Sequence, residues 1–274
     1  MTLLLLLGTL AVSAGAGCLG ALLGLGGGIF IVPFLHFVIG LPFASATAVS
    51  LVTIIATSSV TATNPGQRQL TNMKLGILLE AFSAPAAVAS AYWATAISEP
   101  NLRRVFGVAA IGIAIVMLTR LNKRNVVLDP AFAIGSLGGR FFEAESAAVV
   151  SYRVKRLPVA CASSVLAGIL SGLIGIGGGI IKVPVLNAWC GVPLRAAAAT
   201  SAFMIGVTVV ASAIPYYLRG DVVPHYAAAT VLGVLAGGRA GIWLMPRVTA
   251  RRLKVLMAAM LLAVAISSLI KAGW

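Results

Sequence analysis

Charged side chains are what this sequence has fewest of: Asp, Glu, Lys and Arg make up 9% of 274 residues, where soluble domains carry about 25%. With 60% hydrophobic residues and a mean hydropathy of +1.05, too few polar groups remain to cover a globular surface, which excludes an ordinary soluble enzyme and makes lipid the main solvent. Cysteine is limited to Cys18, Cys161 and Cys190. These three lack metal-ligand spacing and lie in apolar context, so buried small residues are expected and no metal or cofactor is implied. Acidic residues number six against twenty Lys and Arg, a net charge of +14. The basic residues fall between apolar segments, as expected for a multi-pass protein whose positive loops stay on the cytoplasmic side of a membrane carrying anionic lipid. A positive interior field that favours anionic substrates is their second use. Neither an RNA or DNA motif nor a basic stripe with interleaved aromatics is present, so no nucleic-acid partner is expected. Residues 1–18 lack the basic start of a signal peptide and read as part of the mature protein.

What is abundant is glycine in one place, repeated. GLGGGIFIVP, Gly24 to Pro33, returns as GIGGGIIKVP, Gly175 to Pro184, at an offset of 151 residues. Gly24, Gly26, Gly27 and Gly28, and again Gly175, Gly177, Gly178 and Gly179, interrupt apolar sequence in which each glycine costs a helix roughly 1 kcal/mol. The same offset carries Pro42 onto Pro193, Ala46 onto Ala197 and Ser50 onto Ser201 without a gap. The fold expected is an all-α polytopic membrane bundle of two homologous repeats, each with a glycine-broken helix or re-entrant segment.

The first repeat spans 1–124: apolar residues 3 to 23, the break, a short piece to Ile39, a span from Pro42 to about Thr63, a polar connection to Lys74, a span from Leu75 to Ile97, and one around Val105 to Leu118. The short piece either re-enters or crosses tilted and broken. A connector at 125–156 holds Asp129, Arg140, Glu143, Glu145 and Arg153 and reads as cytoplasmic or interfacial. The second repeat, 157–274, follows the first in the same order. Eight to ten segments result. An odd number of crossings per half makes the repeats inverted and an even number makes them parallel. The basic groups around Arg68, the connector and Arg247 to Lys254 fall on one side with inverted repeats, which is the arrangement favoured.

Helix N-termini at glycine breaks present unpaired N–H groups and partial positive charge, which suits a small anion; close helix packing is the competing use of the same glycines. The motif lacks the Lys-Ser/Thr ending of a phosphate loop. Beyond the breaks, His36 falls on Asn187 and Ile31 on Lys182. Lys182 facing inward is a counter-charge for substrate; near an interface it only snorkels. His36 and Asn187 are anion donors or hydrogen-bonded packing residues. Thr47, Ser50, Thr200 and Ser201 offer hydroxyl donors, with back-bonding to the helix as the plainer alternative. Glu80 and Arg239 are the other charges set deepest in apolar spans and are the candidates for proton coupling, against simple pairing or proximity to a helix end. No catalytic cluster appears.

The paired motif, with Pro42 and Ala46 to Ser50 in one half and Pro193 and Ala197 to Ser201 in the other, resembles the sulfite exporter TauE/SafE family over nearly the whole chain. The resemblance implies a permease of a bacterial inner (cytoplasmic) membrane for sulfite, thiosulfate or organosulfonates, commonly an exporter driven by the proton gradient. The mechanism expected is alternating access, one half rocking against the other around the anion held at the two glycine-marked ends. Its partners would be the small anion, protons and the bilayer, with homodimerisation left open. An anion channel is the nearest alternative, and a membrane sulfur-transfer protein using the cysteines a further one.

Overall fold

The two glycine breaks set the order of elements. A computed structural model describes residues 3–119, 135–143 and 148–249, with scattered helical positions between 251 and 266. Helix α1 (Leu3–Leu23) ends at the first break and α2 (Gly28–Phe37) leaves it. Then come α3 (Phe43–Thr63), the short α4 (Pro65–Leu70), α5 (Met73–Trp93), a 3-10 turn at Ala94–Ala96, and α6 (Glu99–Thr119). After a hairpin of β1 (Gly139–Glu143) and β2 (Ala148–Tyr152), α7 (Leu157–Ile174) ends at the second break. From there α8 (Gly179–Ala188), α9 (Leu194–Leu218), α10 (Pro224–Leu244) and a 3-10 turn at Met245–Arg247 follow. The polar stretch Glu99 to Arg104 is helical, opening α6. Helices α1, α3, α5, α7, α9 and α10 are long and apolar enough to cross a membrane, whereas α2 and α8 are ten residues each. The protein is a polytopic membrane protein whose membrane part is helical.

Local chemistry explains the boundaries. Gly24, Gly26 and Gly27 have φ of 68°, 77° and 82°, and Gly175, Gly177 and Gly178 have 70°, 78° and 71°; this left-handed backbone is open to glycine at no steric cost. Pro42 and Pro193 hold extended backbone immediately before α3 and α9. Asn64 and Asn72 cap α4 and α5 by accepting from the N–H groups of Gly66 at 3.0 Å and Leu75 at 3.1 Å, a bond that satisfies a donor every helix start leaves open.

Packing runs between the halves. Glycines of α10 meet α1 backbone, Gly233 at Leu10, Gly237 at Ala14 and Gly241 at Cys18, so these helices are parallel. Gly168 and Gly172 of α7 meet Ser83 and Ala87 of α5 in the same manner. Small residues let backbones close up where lipid provides no hydrophobic force between helices. At the centre α3 and α9 cross antiparallel: Ser58 Oγ donates to the Ala202 carbonyl at 2.7 Å, while Ile54 and Ile205 both press on Gly26 and Gly177. Helix α5 runs with α9, since Gly76 lies by Phe203, Ser83 by Thr208 and Arg219 by Ala91. Helix α10 runs with α3, through Thr53 to Thr230 and Val60 to Gly238.

These directions gather Arg68, Lys74, the hairpin, Arg195 and Arg247 at one end of the bundle. Asn72 Nδ2 donates there to Leu137 O at 2.8 Å and Tyr152 Oη at 3.1 Å, and Arg195 donates to Val248 O at 3.2 Å. The opposite end carries the end of α2, Ala94–Ala96 and the Arg219–Asp221 ion pair. The hairpin is the departure from an all-helical reading. Phe141 and Val150 pair across it and are buried, while Phe142 and Val149 face out, the alternation of a half-buried ribbon. Arg120, Lys123, Arg124, Asp129, Glu145, Lys254 and much of the last span lie outside the described residues.

The helix contacts give a paired prediction. Gly237→Ala puts a methyl group into the Ala14 carbonyl and should cost about 1–3 kcal/mol by overpacking. Gly15→Ala, with nothing within 4 Å, should be neutral or stabilising by up to about 1 kcal/mol. Unfolding midpoints of the two purified variants check the contrast.

Candidate functional site

Two of the charges singled out from sequence meet. Glu80 lies on α5, Lys182 on α8 a turn past the glycine break, and Lys182 Nζ is 2.5 Å from Glu80 Oε1. The ammonium also donates to Ser83 Oγ at 3.0 Å and Thr208 Oγ1 at 2.9 Å, so all three of its N–H groups have acceptors. Thr208 Oγ1 is 2.9 Å and 2.8 Å from the two carboxylate oxygens of Glu80. Lys182 is 1% exposed and Glu80 6%, with Ser83 and Thr208 fully buried. Three elements of both halves of the chain thus converge on one charge pair near the middle of α5 and α9.

Such a pair is weak evidence for stability. Stripping water from two ions costs several kcal/mol each, and replacement by apolar residues is often neutral or favourable. The chain carries its own comparison: at the 151-residue offset, Lys182, Glu80 and Ser83 fall on Ile31, Val231 and Val234, and Thr208 on Thr57. The residues at those offset positions carry no charge. Desolvation therefore supports a functional reason for the pair.

The remaining candidates are distributed around the crossing. Ser50 Oγ donates to Gly175 O at 2.8 Å and Ser201 Oγ to Gly24 O at 3.0 Å, each hydroxyl holding the other half's break. A side chain at Gly28 would meet Ile54 and Gly175 O, and one at Gly179 would meet Ile205 and Gly24 O. In this conformation the glycines allow two breaks to touch, with α2 and α8 starting beside each other's loops. Thr47 Oγ1, beside Gly175, is buried with no hydrogen-bond partner among the described residues. Thr200 Oγ1 accepts from Asn72 N at 2.9 Å. His36 Nδ1 lies 2.7 Å from Leu41 O, and Asn187 Nδ2 donates to Val192 O at 2.9 Å, so both brace the turn after their half-helix. Arg239 is exposed on α10, beside Asn64 and Arg247, on another helix from the Glu80 pair.

Sequence reasoning named Glu80 and Lys182 separately and passed over Ser83 and Thr208. Ser83 stands three residues after Glu80, on the same helical face, which was a usable signal. Thr208 gave none, because its place depends on the register of α9 against α5. Cysteine chemistry has little support: the Cys190 thiol is pushed up to about 11 by burial, which suppresses the reactive thiolate. Among the described residues no three of His, Cys, Asp and Glu gather as a metal site.

A multi-pass helical bundle with a buried charge pair beside paired helix breaks is the build of a membrane transporter. Residues 9–268 match the family described as sulfite exporter TauE/SafE, and the chain belongs to that family. It is similar to the probable membrane transporter protein YunE of Bacillus subtilis (strain 168), 29% identical over 82% of this chain and 83% of the relative. It is also similar to the probable membrane transporter protein MJ0441 of Methanocaldococcus jannaschii, 25% identical over 89% of this chain and 88% of the relative. No solved structure matches the chain.

The pair predicts its own non-additivity. Lys182→Met strands a buried carboxylate and should destabilise by about 3–5 kcal/mol, as breaking buried pairs does. Adding Glu80→Gln to Lys182→Met should restore most of that loss. Thermal unfolding in detergent measures the cycle.

Proposed function

We propose that this protein is a secondary carrier of a small sulfur-containing oxyanion, of the sulfite, thiosulfate or organosulfonate class, working by alternating access with a coupled proton. One observation carries the reading: a lysine 1% exposed, next to a helix break, whose charge is held by one glutamate. With Glu80 ionised, Lys182 is already neutralised and an arriving anion meets a carboxylate. When Glu80 takes a proton as an oxyanion arrives, Lys182 exchanges one counter-ion for the other and is never left buried without one. Proton and anion then favour each other's binding by the same factor. The unpartnered Thr47 hydroxyl and the N–H groups at the starts of α2 and α8 supply further donors as the breaks separate.

Symmetry of contacts supports reading the halves as inverted repeats. Helix α2 matches α8, α5 matches α10, and the two 3-10 turns match at the same 151-residue offset; α1 packs on α10 as α7 packs on α5; and Ser50 to Gly175 mirrors Ser201 to Gly24. The antiparallel crossing of α3 and α9, which occupy matching places at that offset, supports opposite directions for the two halves. Positive residues gathered at one end support reading that end as cytoplasmic. One half rocking on the other about Ile54 and Ile205 would open the site to each side in turn.

An anion and a proton bound together cross together, so an outward anion gradient carries both outward, the direction in the family's name. In proteoliposomes, acid inside should speed efflux of labelled sulfite and of a sulfonate. Glu80→Gln should retain flux but lose its pH dependence. Flux that ignores ΔpH in the unaltered protein contradicts coupling, and single-channel currents contradict a carrier.

A further inference from the structure

A cleft of about 880 Å³ opens beside the C-terminal ends of α3 and α10, lined by Val60, Thr63, Asn64, Arg239, Trp243 and Arg247. It is separate from the buried charge pair, which lies on α5, α8 and α9. Arg239 stands five residues before α10 ends at Leu244, inside a membrane-length helix, and is exposed. Among the described residues it has neither a hydrogen bond nor an ion-pair partner. Arg247 stacks its guanidinium 3.8 Å from the Trp243 ring centroid and donates one N–H to the Trp243 carbonyl at 2.7 Å. A guanidinium carries five donors, so Arg247, exposed and lining the cleft, keeps donors beyond the one given to Trp243.

Three observations point to an occupant. Arg239, five residues from the end of α10, is exposed at headgroup depth with no anionic partner among the described residues, a place where a lipid phosphate can meet it. The outer face of α10 that leads to the cleft is apolar and exposed, with Leu232 at 60% and Trp243 at 65%, which is what acyl chains cover. The cationic lining of the cleft is also not repeated: at the 151-residue offset Arg239, Trp243 and Arg247 fall on Val88, Tyr92 and Ala96. A need of helix packing would recur at both ends, whereas an attraction to anionic lipid is expected at the cytoplasmic one. We infer that Arg239 and Arg247 form a binding site for the phosphate of an anionic phospholipid. Its acyl chains lie along α10, and the Trp243 ring sits at headgroup depth beside it.

Native mass spectrometry of the full chain in mild detergent, with equal amounts of dioleoyl phosphatidylglycerol and dioleoyl phosphatidylcholine, tests this. The unaltered protein should retain phosphatidylglycerol preferentially. Arg239→Gln should reduce that retention about fivefold, the factor given by about 1 kcal/mol per basic residue at an anionic surface. Arg239→Gln with Arg247→Gln should abolish the preference, and Lys74→Gln, exposed at the same end, should leave it intact. Equal retention of the two lipids, or undiminished preference in Arg239→Gln, overturns the inference. So does Arg239-dependent thermal stabilisation by inorganic phosphate in place of lipid, which would make the ligand a soluble anion. Because Arg239 is exposed and unpartnered, its single variant is expected to fold.

Discussion

A lysine ammonium stripped of water inside a membrane bundle must find a negative partner, and the interior of this protein is arranged around meeting that need for Lys182. Glu80 supplies the charge, and Ser83 and Thr208 take the remaining hydrogen bonds. The pair ties α8 to α5 and α9, so anything that changes the charge of Glu80 changes how a half-helix is held. A stability role alone would leave unexplained why the matching place in the other half is filled by Ile31, Val231 and Val234. The cost of burying ions makes the pair a poor glue, and the switch proposed above gives it a use.

The second constraint is the close approach of backbones. Gly17, Gly168, Gly172, Gly233, Gly237 and Gly241 are used where one helix lies on another's carbonyls. The break glycines let two loops pass at the centre of the molecule between Ile54 and Ile205. Both uses follow from lipid as solvent: packing and hydrogen bonds, not expulsion of water, hold such helices together. The breaks are also where regular hydrogen bonding stops. The carbonyls of Gly24 and Gly175 are accordingly met by Ser201 and Ser50, hydroxyls sent across from the opposite half. A rearrangement that separates the breaks must exchange these bonds for others, and an oxyanion is a natural recipient of the freed hydroxyls.

Much of the helical frame was legible in the residues themselves. Prolines, asparagines and the glycine runs mark element ends, and apolar length marks the spans, so α7 begins and ends where composition changes. The common offset of the motif placed Lys182 and Ile31 in corresponding positions before any contact was known. Contacts between helices were not legible. Nothing local says that Glu80 and Lys182, 102 residues apart, share a proton's worth of charge, or that Thr208 stands between them; that depends on the mutual register of three helices. The bracing bonds of His36 and Asn187 to the carbonyls of Leu41 and Val192 were equally invisible, because a polar residue after a break reads the same whether it faces a ligand or its own turn. The hairpin was hidden for a different reason. Its strands are five residues each, short enough for the charges around them to suggest only a solvated connector.

In the proposed mechanism Glu80 accepts a proton as Lys182 accepts an anion. Proton uptake on binding an alkylsulfonate, whose own charge is fixed, measures this directly in purified protein in weakly buffered solution. The account predicts close to one proton taken up per anion bound at neutral pH, and none in Glu80→Gln although the anion still binds. Binding of the sulfonate with no proton uptake in the unaltered protein would contradict it.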